Sequence, residues 1–216
     1  MDIYCIPGLG ADKRLFERLD LSGHIVHHLE WPHMVQGASL YAFAQELSKQ
    51  VDASVDHVLI GVSMGGMVAQ ELAGITASKR TIIISSWKGR SEMPWNVKAM
   101  RGLGAERFLN ETIVRRVVPF LRLLRYTLGL EDKASQALGQ EMLAGFSARD
   151  LRVMVAAVLS WNGPSTTVND LVHIHGDKDR LMPIGSIKDP VVIKGGTHFM
   201  VFSKAGAVGA AVRRAL

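Results

Sequence analysis

The 216-residue chain has a single cysteine, Cys5. One thiol excludes an internal disulfide framework and suits a reducing compartment. Long apolar runs are missing as well, since none approaches the roughly 20 residues that a bilayer-spanning helix needs. The start, Met1-Asp2 running straight into Ile3-Tyr4-Cys5-Ile6, lacks the basic opening, apolar core and small-residue cleavage site of a secretory leader. A cytoplasmic location with no stable membrane insertion is therefore expected. Aromatic residues are scarce, at 6%, and no basic run interleaves with them, so nucleic acid is not an expected partner. The turn Pro7-Gly8-Leu9-Gly10 contains neither G-x-G-x-x-G nor the Walker pattern, so a phosphate cradle is not expected there. No cofactor is expected.

What remains is the composition of a folded enzyme-sized domain, 48% hydrophobic and 21% charged, which argues against disorder. The length suffices for one well-buried domain carrying a sizeable insertion. The net charge of +5 is unevenly spread, with eleven Lys/Arg against seven Asp/Glu between Arg90 and Arg152. That excess reads as a solvated helical surface, with attraction to an anionic substrate or surface as the alternative.

The chain is organised around Gly61-Val62-Ser63-Met64-Gly65-Gly66. The apolar run His57-Val58-Leu59-Ile60 precedes it, and a helical pattern with Met64, Val68, Leu72 and Ile75 on one face follows. A strand that turns at once into a helix strains its corner residue and lifts that side chain clear. Glycines two before and two after the corner remove the Cβ atoms that would collide. Ser63 is thus expected to be exposed at the positive end of a helix, in a G-x-S-x-G nucleophile elbow.

The remaining pattern is strand–helix repeated. Residues 2–6 read as a strand ending at the glycine turn, which is shaped to bend backbone N–H groups toward a bound oxyanion. Asp12 caps a short helix with Leu15, Phe16 and Leu19 inward. Strands follow at Ile25–Trp31 and Thr81–Ile84, with a helix between them capped by Ser39 and carrying Leu40, Phe43, Ala44, Leu47 and Val51. Between Trp87 and Trp161 there is no convincing strand. One helix there is interrupted by Pro119, and the last is opened by Ser147 with Asp150 three residues on and Phe146 facing Leu151. The strands Leu171–Ile174 and Val191–Ile193 then resume, and a helix from about Ser203 closes the chain. The fold class is α/β: a mostly parallel sheet of about six strands, helices on both faces, and a helical cap inserted before the penultimate strand. The core is expected at 1–87 and 161–216, and the cap at 88–160, over the carboxyl ends of the strands.

A serine hydroxyl needs a base, and the base needs an orienting group. Asp179 lies in the loop after one late strand and His198 in the loop after the other, and parallel strands end on one edge, so both can reach Ser63. Asp177 is the rival carboxylate, otherwise a turn residue bonding its own backbone. His175 reads as a structural loop residue and Cys5 as a small buried hydrophobe. His27, His28 and His33 lack a carboxylate pattern, and no metal site is expected from them.

Pro7-Gly8-Leu9-Gly10, Gly61-Val62-Ser63-Met64-Gly65, Ile174-His175-Gly176-Asp177-Lys178-Asp179-Arg180, Pro183 and Gly195-Gly196-Thr197-His198-Phe199 together resemble the α/β-hydrolase superfamily, over essentially the whole chain. The resemblance implies Ser63 as nucleophile, His198 as general base then acid, and Asp179 as orienting acid, the family's G-x-x-D spacing favouring Asp179 over Asp177. It also implies an oxyanion hole from the backbone N–H groups of Leu9 and Met64. The chain departs from the family in having Pro7-Gly8 where His-Gly is frequent. It also begins at the strand before that turn, so the two leading strands of the full fold are expected to be missing, leaving about six.

Of the cap residues Trp87, Met93, Trp95, Met100, Phe108, Phe120 and Met154, most are expected to pack the cap and some to line the pocket. Trp87, Trp95 and Phe199 are the pocket candidates. Arg115, Arg122 and Arg125 are expected to face solvent, with a membrane-surface role as the alternative. The implied activity is a serine esterase acting on a small molecule with an apolar acyl or alkyl part. Thioester, amide, lactone or carbon–carbon hydrolysis, acyl transfer, and a slow-turnover receptor stay open, because fold does not choose among them. A haloalkane dehalogenase is disfavoured, since that chemistry needs a carboxylate where Ser63 stands.

Overall fold

The computed structural model describes residues 1–104, 110–113 and 122–216, with backbone only at 101–103. Six strands, β1 (Asp2–Ile6), β2 (Ile25–His28), β3 (His57–Val62), β4 (Arg80–Ile84), β5 (Leu171–Gly176) and β6 (Val191–Ile193), form one sheet in the order β2-β1-β3-β4-β5-β6. Every pairing is parallel. Parallel neighbours require crossover connections, and these place helices on both faces of the sheet. This is why β3 is buried at all six positions and β4 at its last four.

Side-chain alternation divides the core in two. On one face Ile3, Cys5, Val58, Ile60, Ile82 and Ile174 meet Leu15, Phe16 and the closing helices. On the other, Tyr4, Ile6 and Leu59 meet α1 (Leu40–Ser48) and α2 (Met64–Thr76). Leu40, Phe43, Ala44 and Leu47 supply the buried stripe of α1, and burying a ring such as Phe43 contributes about 2–3 kcal/mol. Ser39 starts that helix by accepting the Ala42 N–H at 3.2 Å; losing such a cap costs about 1 kcal/mol.

Between β4 and β5 the described residues hold four α-helices and no strand: α3 (Trp95–Leu103), α4 (Arg122–Leu128), α5 (Lys133–Ala144) and α6 (Ala148–Ser160). The cap of α6 forms as the sequence predicts, with Ser147 Oγ accepting the Asp150 N–H at 3.1 Å and donating to Asp150 Oδ2 at 2.6 Å. Phe146 packs against the small cluster of Ala148 and Leu151, as does Leu9 of the turn after β1. Helices α5 and α6 share the core of the sheet. Leu138 and Met142 join the first cluster, and Val153, Met154 and Ala157 the second. Two buried carboxylates also fasten this part of the chain. Glu71 of α2 accepts Trp161 Nε1–H at 2.8 Å and Ser165 N–H at 2.9 Å. Glu92 accepts the N–H groups of Lys88 at 2.7 Å and Lys188 at 3.0 Å. Such satisfied acceptors avoid the cost of a lone buried charge.

Several local expectations are corrected. β2 ends at His28 rather than Trp31, because it is an edge strand paired on one side only, with Leu29 N–H to Cys5 O at 3.0 Å as its last bond. Ile75 is exposed, and the buried position one turn after Leu72 is taken by Thr76, four residues on. The closing helix breaks at Lys204 into α7 (Met200–Ser203) and α8 (Ala205–Ala215). Arg122 faces solvent, whereas Arg125 donates to Gln136 Oε1 at 3.3 Å. Arg115, Phe108, Phe120 and the interruption at Pro119 lie outside the described residues. Among the described residues no helix is long and apolar enough to cross a membrane.

Candidate active site

Sheet order reverses between β1 and β3, and open parallel sheets bind ligands outside the carboxyl ends of the strands at such a point. There Ser63 sits between β3 and α2 with φ 55° and ψ −121°, a strained conformation for a residue with a side chain. The two flanking glycines are sterically required. A Cβ on Gly61 would lie 2.2 Å from Gly65 O, and one on Gly65 would lie 2.3 Å from both Ile6 O and Pro7 O. The corner is clamped to β4 from both ends. Ser63 N–H donates to Ile84 O at 2.9 Å, and Ser86 Oγ donates to Ser63 O at 2.7 Å. Ser86 was not singled out in the sequence; the only signal for it is Gly66, whose Cβ would come within 2.6 Å of it.

The loops after β5 and β6 bring the other two side chains in. His198 Nε2 is 3.0 Å from Ser63 Oγ, and His198 Nδ1 is 2.8 Å from Asp179 Oδ2. Asp179 Oδ1 accepts the N–H groups of Leu181 at 3.0 Å and Met182 at 2.8 Å. With its carboxylate accepting from Nδ1–H, the imidazole presents a bare Nε2 to the serine hydroxyl. Burial opposes ionisation of Asp179, but the adjacent His198 and the backbone donors outweigh it and hold the carboxyl below its usual range. Asp177 does not reach His198. It accepts the Gly195 N–H at 2.6 Å, joining the acid loop to the histidine loop rather than bonding its own turn.

Behind the acid loop lie two buried histidines. His175 Nε2 is 2.7 Å from Met182 O, an acceptor only, so Nε2 carries the proton. Its Nδ1 then accepts from His173 Nε2 at 3.3 Å. Burial pushes the His173 imidazole down from 6.5 to about 3, helped by the nearby His175 and Lys88. Below pH 6.5 the unfolded chain therefore takes up a proton that the folded chain refuses. This contribution to stability is complete above pH 6.5 and is lost as pH falls toward about 3. His173→Gln is expected to flatten the fall in urea midpoint between pH 7 and pH 4 relative to the unmodified chain.

A cavity of about 400 Å³ opens beside the turn after β1, lined by Pro7, Leu29, Trp31, Phe146 and Met154 but also by Asp12, Lys13, Arg14, Glu30 and Asp150; neither Ser63 nor His198 borders it. Trp31 Nε1–H donates to Gly8 O at 3.2 Å and so braces that turn. Of the predicted lining residues, Trp87, Trp95 and Phe199, none borders this cavity. Trp87 is buried in the second core cluster, Trp95 is 81% exposed, and Phe199 packs beside Phe202. Only Met154 was marked by its composition as an apolar cap residue. Trp31 is signalled only by its place just past a strand's carboxyl end.

The other histidines diverge. His27 stacks on Tyr4 at 4.6 Å, His28 lies 5.8 Å from the Phe16 ring, and His33 contacts Asp150 at 3.2 Å. Among the described residues no three His, Cys, Asp or Glu side chains gather as ligands for an ion. Cys5 is buried, and burial pushes its thiol up to about 12, which keeps it protonated.

The sequence matches no curated protein. Among solved structures it is similar to a thermophilic esterase from Thermogutta terrifontis, with 18% identity and a TM-score of 0.73 over 99% of this chain and 88% of that one. It is also similar to an esterase from Exiguobacterium antarcticum (14% identity, TM-score 0.74, 99% and 91% covered). A bromoperoxidase from Bacillus anthracis is a third (16% identity, TM-score 0.65, 99% and 91% covered). At such identities the likeness speaks for the fold. The family model described as the alpha/beta hydrolase family matches residues 3–211, nearly the whole sheet and both late loops. The chain therefore belongs to the alpha/beta hydrolase family.

Proposed function

We propose that this protein is a serine hydrolase that cleaves small or medium apolar carboxylic esters through an acyl-enzyme. The observation that carries the reading is the unbroken line from Asp179 Oδ2 through His198 to Ser63 Oγ, with links of 2.8 and 3.0 Å. In this reading Ser63 Oγ attacks the ester carbonyl carbon as His198 Nε2 takes the hydroxyl proton. The carbonyl oxygen becomes an oxyanion held by the N–H groups of Met64 and Leu9. Met64 opens α2, so its N–H has no carbonyl within the helix to serve and is free for that use. The intermediate collapses, and His198 gives its proton to the departing alkoxide. A water molecule then repeats the attack on the acyl carbon, losing its proton to His198, and Ser63 is released with its proton restored.

Pro7, Trp31, Phe146 and Met154 offer apolar surface beside the turn that carries Leu9, which supports a substrate with an apolar acyl or alkyl part, with charged side chains sharing that neighbouring cavity. In the same reading residues 88–160 are the cap that covers the site. The test is steady-state hydrolysis of p-nitrophenyl esters of rising chain length. Turnover is expected with an optimum among short to medium chains. A single burst of product with no steady state would replace the esterase by a slow receptor-like member. No ester turnover at any length would move thioester or carbon–carbon cleavage to the front.

A further inference from the structure

We infer that the stretch Tyr126–Glu131, joining α4 to α5, is a latch that seats both the acid loop and the histidine loop. Arg180 and Gly129 are its positioning residues. The inference rests on the reading of Asp179 and His198 as the working pair.

Arg180 directly follows Asp179 in the chain. Its Nη1 donates to Tyr126 O at 3.1 Å and to Glu131 Oε1 at 2.9 Å, while its guanidinium lies 3.9 Å over the Tyr126 ring. A single side chain thus grips the far end of α4 and the start of the α5 connection together. The two residues after Arg180, Leu181 and Met182, supply the N–H donors that hold Asp179 Oδ1. Displacing Arg180 therefore displaces the donors that orient the acid. An ion pair this exposed, 31% at Arg180 and 61% at Glu131, contributes little to global stability. Its effect is on geometry.

The second contact is steric. Gly129 has φ +73°, and a Cβ there would fall 2.2 Å from Thr197 Cβ and 2.3 Å from Thr197 Oγ1. Thr197 is buried and immediately precedes His198. The backbone of Gly129 is thus the surface against which the histidine loop is set, as Arg180 sets the acid loop. Both neighbours of the Asp179–His198 hydrogen bond are registered on the same short stretch of the helical insertion. Misplacement of a reacting group by about 1 Å can cost on the order of 100-fold in rate.

The experiment compares Gly129→Ala, Arg180→Gln and the double variant with Gly23→Ala. Gly23 has φ +86° and nothing within 4 Å of an added Cβ, so it carries the backbone strain without the contact. Two readouts are taken, kcat and KM on a short p-nitrophenyl ester and the NMR resonance of the His198 Nδ1–H proton, which needs no substrate. Gly129→Ala and Arg180→Gln are each expected to lower kcat by roughly 10- to 100-fold with little change in KM, and to shift or broaden the resonance. Their effects are expected to be less than multiplicative in the double variant, as for two ends of one device. Gly23→Ala is expected to leave both readouts alone. If Arg180→Gln, which alters one half-buried side chain at the surface, gives a folded protein with kcat and the resonance unchanged, the latch is overturned. A shifted resonance in a protein without ester turnover keeps the latch and removes the esterase.

Discussion

Ser63→Ala is expected to lower kcat on a p-nitrophenyl ester by about 10⁶-fold, equivalent to roughly 8 kcal/mol of lost transition-state stabilisation. The Oγ it removes is the atom 3.0 Å from His198 Nε2, the one to which the imidazole is hydrogen-bonded. A remainder of about 10³–10⁴ over the uncatalysed reaction is expected, from the N–H groups of Met64 and Leu9 and from substrate binding. KM should stay close to its starting value, because the hydroxyl matters to the reacting bond rather than to the apolar walls. Stability should also be nearly unchanged. Alanine at φ 55° is strained as serine is, and the backbone bonds of the corner to Ile84 and from Ser86 use no atom of the removed hydroxyl. Steady-state rates with a fluorophosphonate label for the nucleophile decide the matter. Turnover and labelling that survive the change would remove Ser63 from the mechanism.

Asp179→Asn is expected to cost about 10⁴-fold in kcat with the fold intact. One side-chain oxygen accepts from both Leu181 and Met182, and an asparagine will keep its carbonyl there. Its NH₂ then faces His198 Nδ1 at the position now 2.8 Å away. A donor in that place forces Nδ1 to accept, so the ring proton moves to Nε2 and points at Ser63. An imidazole in that tautomer cannot take the serine proton. The same variant should change stability in acid. Because the folded carboxyl is held below its usual range, the ionised form stabilises the native state above the unfolded-state value. That stabilisation is lost as pH falls through the folded value. The amide, which does not titrate, would remove that acid-side slope. A variant retaining most of the wild-type kcat would show that Asp179 does not set the tautomer of His198.

The parts that were legible in the sequence are those in which a local physical demand has one solution. The elbow demands two missing Cβ atoms, and Gly61 and Gly65 are the mark of it. Strands covered on both faces demand apolar runs, and β3 and β4 are such runs. Caps demand a side-chain acceptor, and Ser39, Asp12 and Ser147 stand where one is needed. What was not legible depends on distant partners. Trp87 and Trp95 are both tryptophans of the segment after β4, yet one is buried and the other 81% exposed, because burial is decided by what packs from elsewhere. Asp177 carries a turn-like signature and in fact bonds the next loop. Arg180 and Glu131, or Gly129 and Thr197, are far apart along the chain and share no period that pattern reading detects. The last turn of α2 was misread for a related reason: the polar Thr76, bonded to the distant His57, holds the buried position that the pattern gave to Ile75.

The order of the strands has a consequence for how the molecule is made. β1 to β4, with α1 and α2 between them, form a contiguous set within the first 84 residues, and they already contain the strained serine. β4 then waits for β5, its neighbour in the sheet, until the whole helical segment has been synthesised. Until it arrives, Ile82, Ile83 and Ile84 present an unpaired, fully apolar strand edge to the surroundings. Such non-local pairing is slow to form and is where partly folded chains associate. In a nascent chain the site is thus half assembled, with Ser63 in place and Asp179 and His198 still to come. Its greatest exposure to aggregation falls in that interval.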